Sequence, residues 1–151
     1  MNFNLKVIFA GGLAMYVTQW ILSMLSGPFI HEGILTELYI QTQAFWRPEL
    51  NQQPPDMVAL LPRWITVGVI AALIQATIYD NIRSAFDGSG LVKGLKFGLV
   101  AFLFHLCFSA GRSGVFNLTE VIRVWWNIEF LLMFLAGGAV LGLVAGKLAP
   151  E

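Results

Sequence analysis

His105 and Glu129 are the residues of this sequence best placed to do chemistry, because each interrupts a long apolar run with a group that binds and releases a proton. An ionisable side chain in hydrocarbon is costly, and one inside a membrane span marks an ion, proton or ligand site by default. His105 lies seven residues before Arg112 and Glu129 six after Arg123. At about 1.5 Å per helical residue, both then sit roughly 10 Å below the same interface. Gln19, seven residues before Ser26, falls in the same layer on the first apolar run. The expectation is a buried polar layer in which His105 and Glu129 pair as a proton-relay or ligand-binding couple, with Gln19 and Asn127 completing the hydrogen bonds. The plainer alternative keeps His105 neutral against a helix carbonyl and satisfies Glu129 near the head groups.

Other chemistries are poorly served. The single Cys107 allows no intramolecular disulfide and no cysteine-rich metal site, and is expected as a small buried hydrophobe. His31-Glu32 does not open a zinc-protease motif, since Leu35 stands where H-E-x-x-H needs its second histidine. No G-x-S-x-G, phosphate-binding loop, dinucleotide fingerprint or C-x-x-C is present, so nothing argues for an enzyme. Ala101 four residues before His105 gives Ala-x-x-x-His, which resembles the pigment-ligating pattern of bacterial light-harvesting polypeptides. That resemblance implies a haem or chlorin with His105 as axial ligand. Those polypeptides have one spanning helix, however, and the only other histidine here, His31, falls in a loop, so the primary expectation is no cofactor.

These groups must be positioned by an unusually apolar chain. Of its 151 residues 57% are hydrophobic and 12% charged, and the mean hydropathy is +0.71. A soluble domain of that size carries about twice the charge. Four apolar runs near the ~20 residues of a spanning helix predict an all-α polytopic membrane protein, a four-helix bundle forming one domain over 1–151. The spans are expected at about 5–26, 63–82, 92–111 and 123–147, the second borrowing Met57 to Leu61 or Ile82 at its ends. Gly27-Pro28 should stop the first span. The loop 27–62 should carry an amphipathic helix at about 30–46 on the membrane surface, ended by Arg47-Pro48. A short connection around Asp80 to Gly90 should make the second and third spans antiparallel neighbours. Asn117 or Thr119 should cap the fourth.

Small residues mark the packing faces. Gly94 and Gly98 share a stripe with Ala101, and Gly138, Gly142 and Gly146 repeat the G-x-x-x-G spacing that lets backbones approach closely. On the first span, Gly12, Tyr16, Gln19, Ser23 and Ser26 should face inward, with Val7, Phe9, Leu13, Leu22 and Leu25 toward lipid. Nine basic and nine acidic residues cancel, which argues against a nucleic-acid partner. Lys6, Arg83, Lys93, Lys96 and Lys147 share the side of both termini, against four arginines opposite, so a bacterial inner membrane with cytoplasmic termini is expected. All five tryptophans fall on the outer side.

Phe45-Trp46-Arg47-Pro48 before the second span and Gly94 to Leu99 opening the third give the chain a resemblance to small uncharacterised four-helix bacterial inner-membrane proteins, which implies that fold and location and no activity. The functional expectation is a non-catalytic accessory or scaffold subunit that packs against other membrane proteins or copies of itself through the helix-four glycines. The alternatives are a small carrier using the polar layer, or a haem- or chlorin-binding subunit.

Overall fold

The computed structural model describes residues 3–150. The first two residues and the last, at the limits of the expected 1–151 domain, lie outside the described residues. The chain is all-helical, 84% helix with no strand among the described residues. It forms α1 (Val7–Ile34), the short α2 (Thr36–Gln41), α3 (Met57–Ile82), α4 (Gly90–Ser113) and α5 (Glu120–Leu148). Four of these are long and apolar enough to cross a membrane. Their outward faces are aliphatic and aromatic, as in Ile70 and Ile74 of α3 and Phe104 and Phe108 of α4.

The tightest contact joins α4 to α5. A Cβ placed on Gly94 would overlap the Gly138 carbonyl, one on Gly98 the Phe134 carbonyl, and one on Gly142 the Gly90 carbonyl. The two backbones therefore touch without intervening side chains. Gly146 lies at the rim, with the nearest atom to its would-be Cβ, the Gly90 Cα, at 3.7 Å. On its other side α5 receives α1: Gly11 fits against Leu141, and Gly137 against Met15 and Gln19. The far side of α1 receives α3, where Gly12 meets Ala72 and Ala76 and the Tyr16 ring fills the space over Gly68. The packing order is thus α3, α1, α5, α4, rather than the order of the chain. The second and third spans are not neighbours along their length, as their short connection suggested; they meet through the Tyr79 and Phe97 rings, 5.2 Å apart. The α4 glycines attract α5 more strongly than a short connection can hold α4 to α3.

The spans are longer than the hydropathy indicates. Asp56 caps α3 by accepting from the Ala59 N–H at 3.1 Å, so the helix starts six residues before Arg63 and takes Pro62 inside. Thr119 takes the N-cap position of α5, but its side chain makes no capping bond. The larger correction concerns α1, which runs through Pro28 and ends in a π-turn, Ile30–Ile34, where the Leu35 N–H reaches the Ile30 carbonyl at 2.9 Å. Proline inside an apolar helix is tolerated where local π adjustments re-satisfy the freed backbone. The Thr36 hydroxyl completes this turn by donating to the Glu32 carbonyl at 2.6 Å. The expected surface helix 30–46 is therefore divided: its first turn belongs to α1, and only the six residues of α2 and a short 3-10 turn remain. Val7 is buried rather than lipid-facing, because a second π-turn, Val7–Gly11, shifts the helical register there. Cys107 is exposed, on an outward face where an apolar thiol suits hydrocarbon.

At the end that gathers the chain termini, Asp80 and Arg83 of the α3 terminus reach two other helices. Asp80 accepts from the Asn4 N–H at 2.8 Å, just before α1. Arg83 donates to the Ala149 carbonyl at 2.9 Å and the Ala145 carbonyl at 3.3 Å, covering the last turn of α5. Each charge has the sign that the nearby helix end favours.

Replacing Gly94 by leucine is expected to lower stability by about 3 kcal/mol, since the added side chain meets backbone that cannot move aside. Replacing Gly27 by alanine, where a Cβ meets nothing within 4 Å, should stay within about 1 kcal/mol of wild type and on the stabilising side. Thermal unfolding of both variants in one detergent checks the contrast.

Candidate functional site

Glu129 is buried, with 7% of its surface exposed, on the side of α5 opposite the glycines. That side faces α1, which brings two polar side chains to it, Ser26 before Pro28 and His31 in the extension beyond it. Ser26 donates to Glu129 Oε1, and His31 Nε2 lies 3.1 Å from Oε2. His31 Nδ1 lies 2.7 Å from the Tyr39 hydroxyl of α2, and that hydroxyl accepts from the Trp126 Nε1–H at 2.8 Å.

The donors fix the direction of this chain. An indole only donates, so the Tyr39 oxygen is the acceptor from Trp126 and its own proton is free for His31 Nδ1. His31 then carries its proton on Nε2 and gives it to Glu129. The tautomer follows from the network: Trp126 to Tyr39 to His31 to the carboxylate, with Ser26 on the second oxygen. Every hydrogen points toward Glu129, so the bonds polarise one another in a medium of low dielectric. Protonation of the imidazole turns the pair into a full ion pair, and protonation of the carboxylate makes it neutral. The site thus accepts a proton without leaving a lone charge in the bundle.

An apolar cluster adjoins it. Ile30, Leu35 and Ile122 are buried together, with Leu38, Trp46 and Trp125 packed against them. Trp46 stands edge-on to Tyr39 and Trp126, at 5.1 and 5.8 Å, and donates its N–H to the Tyr39 carbonyl at 3.1 Å. Burial is the main reason the Tyr39 phenol is pushed up to about 12; the Trp126 hydrogen bond opposes the rise and the Glu129 charge adds to it. The phenol is therefore a permanent donor across the physiological range.

The expected polar layer is thus distributed differently. His105 lies level with Glu129, but on the α4 side of α5, against Phe130 at 4.3 Å and Phe134 at 5.9 Å, with Asn127 as its polar neighbour. Glu129 and Phe130 are consecutive and point about 100° apart, so Glu129 meets α1 while Phe130 meets His105. The Asn127 Oδ1 is buried without a hydrogen-bond partner among the described residues. Gln19 lies deeper, beside Gly137, because α1 ends at Ile34 and not Ser26, and eight more residues add about 12 Å. Ser26 takes the level expected for Gln19. The five glycines lie at the α4–α5 contact, within the chain.

His31 and Tyr39 are the members of this network that sequence reasoning misses, whereas Ser26 is among the residues expected to face inward. Pro28 as a helix terminator places His31 in a surface loop, whereas α1 continues through it. The spacing of Ile30, Ile34, Leu35 and Leu38 was the available signal that the helical face continued past it.

Tyr39→Phe should cost about 1–3 kcal/mol, since it leaves the Trp126 N–H and His31 Nδ1 without their partner. Tyr16→Phe should be neutral or stabilising, because the Tyr16 hydroxyl is buried with no partner among the described residues. Thermal unfolding of the two variants decides. The folded Tyr39 phenol keeps its proton to about pH 12, whereas the unfolded one releases it near 10.0. Its contribution to stability is therefore intact below pH 10 and lost as pH rises toward 12, an alkaline limb that Tyr39→Phe should flatten in a pH series.

No protein-family model, curated protein or solved structure matches this chain.

Proposed function

We propose that the protein is a small proton-translocating carrier of the bacterial inner membrane, in which Glu129 takes up and releases the proton and His31 passes it. The carrying observation is the directed hydrogen-bond chain from Trp126 through Tyr39 and His31 to a carboxylate that is buried in a helix able to span a bilayer. An imidazole bonded at both nitrogens takes a proton on one and gives it up from the other, which a purely structural salt bridge does not require. Cytoplasmic termini belong to the same proposal, supported by Lys6, Arg83, Lys93, Lys96 and Lys147 on that side.

The accessory-subunit reading drew on the α5 glycines as a surface for a partner, and these glycines are engaged by α4. Support for it is now the limited embedding of α3, which packs chiefly on α1 and leaves Ile65, Ile70 and Ile74 facing outward for another membrane protein or a second copy.

Purified protein in liposomes loaded with a pH-sensitive dye tests the carrier. An imposed pH gradient should dissipate faster than in protein-free liposomes, and Glu129→Gln, which keeps the side-chain shape, should return the rate to the protein-free level. Equal rates for wild type and Glu129→Gln, with both eluting as the same folded species, would overturn the proposal.

A further inference from the structure

The proton that Glu129 exchanges has to come from water, and the two members of the pair differ in their access to it. His31 keeps 34% of its side chain exposed, against 9% for Glu129. His31 is three residues from the end of α1, about 5 Å along the axis, whereas Glu129 is nine residues into α5, about 13 Å. In a bilayer, spans of 28 and 29 residues exceed the ~20 that the hydrocarbon requires. The last turn of α1 then overhangs into the head groups. The exposed Glu32 beside His31 calls for the same placement, since a lone charge is costly in hydrocarbon.

Helix direction closes the difference in depth. Side chains lean toward the N-terminus of their own helix. The α1 helix runs away from the chain termini, so His31 leans inward; α5 runs back toward them, so Glu129 leans outward. They meet at 3.1 Å, the imidazole reaching down from the interface and the carboxylate up to it. Toward the termini the α1–α5 contact is filled: Met15 and Leu141 are fully buried, and Gly137 packs on Met15 and Gln19.

We propose that Glu129 exchanges its proton with the aqueous face away from the chain termini, and that His31 is the water-facing port through which it does so. This rests on the carrier reading and adds to it a side and an entry residue. The titratable groups that face the imidazole are Glu129 of α5 and Tyr39 of α2, with Glu32 its neighbour in the chain. A proton from water binds His31 Nδ1, and Tyr39 turns from donor to acceptor there. The imidazolium passes its Nε2 proton to Glu129 Oε2, which leaves a neutral imidazole protonated on Nδ1 beside a neutral carboxyl. Release to the same face retraces these steps.

Thiol labelling reads the side without any measurement of flux. In a Cys107→Ser background, His31→Cys is treated in membrane vesicles with a charged, membrane-impermeant methanethiosulfonate from each face. The faces are identified with control cysteines at Gln52 and Lys147, exposed positions at opposite ends. Labelling of His31→Cys should be more than about tenfold faster from the Gln52 face, because a charged reagent from the other face must cross hydrocarbon. Protection from both faces, or faster labelling from the Lys147 face, would overturn the port. If His31→Cys does not elute as the parent species, Glu32→Cys, which leaves the network intact, decides instead, and its protection from the Gln52 face overturns the port equally. Should wild type move no protons while the His31→Cys thiol labels as expected, the carrier reading fails and the sidedness of the pair stands; a protected thiol beside wild-type proton flux does the reverse.

Discussion

The backbone-to-backbone contact of α4 with α5 is the constraint from which the rest of the arrangement follows. Where glycine carbonyls meet glycine α-carbons there is no room for a Cβ, and the rotation of α5 about its own axis is fixed by that requirement. Glu129 stands nine residues before Gly138, half a turn away in projection, so fixing the glycines on α4 directs the carboxylate to α1. Phe130, one residue on, is directed to His105 instead. A single packing decision separates the two ionisable residues of the spans, and gives the carboxylate to a different histidine.

Once Glu129 faces α1, the cost of burying it explains the irregular end of that helix. A carboxylate in hydrocarbon needs donors on both oxygens, and a helix stopping at Ser26 would supply one. Continuing through Pro28 and widening into the Ile30–Ile34 π-turn supplies the other, His31, and sets Tyr39 behind it. The π-turn is a local departure from regular helix at the place where the polar chemistry is concentrated, a recurring association in helical proteins. The apolar cluster of Ile30, Leu35 and Ile122, with the tryptophans around it, packs beside this chain of hydrogen bonds, while His31 keeps about 34% of its side chain exposed.

The number of long helices, their apolar exteriors and the glycine faces were legible in the sequence because each is a local property: run length, hydropathy and spacing along one helix. Packing order was not, since nothing in α3 or α4 alone says that α4 prefers α5 to the neighbour to which it is tied by a short connection. Glu129 is exceptional from its surroundings alone, but depth does not say which neighbour it faces: His105 lies level with it and meets the other side of α5. The eight residues from Ser26 to Ile34 moved Gln19 out of the layer and brought Ser26 and His31 into it. In the sequence Arg83 reads as a generic interface charge; its role at the end of α5 depends on a contact across more than sixty residues that no periodicity encodes.

The pairing of α1 with α5 also orders events during synthesis. The helix that needs a partner for its carboxylate is made about a hundred residues after the helix that provides it. Translation is slow beside helix formation, so α1 waits in the nascent chain with His31 and Ser26 unengaged while α3 and α4 emerge. The α1–α3 contact, through Gly12 and the Tyr16 ring, needs neither α4 nor α5, whereas the bonds of Arg83 to the Ala145 and Ala149 carbonyls need both α3 and α5. A chain interrupted before Glu129 keeps the α1–α3 pair but lacks the helix on which α1 and α4 both pack.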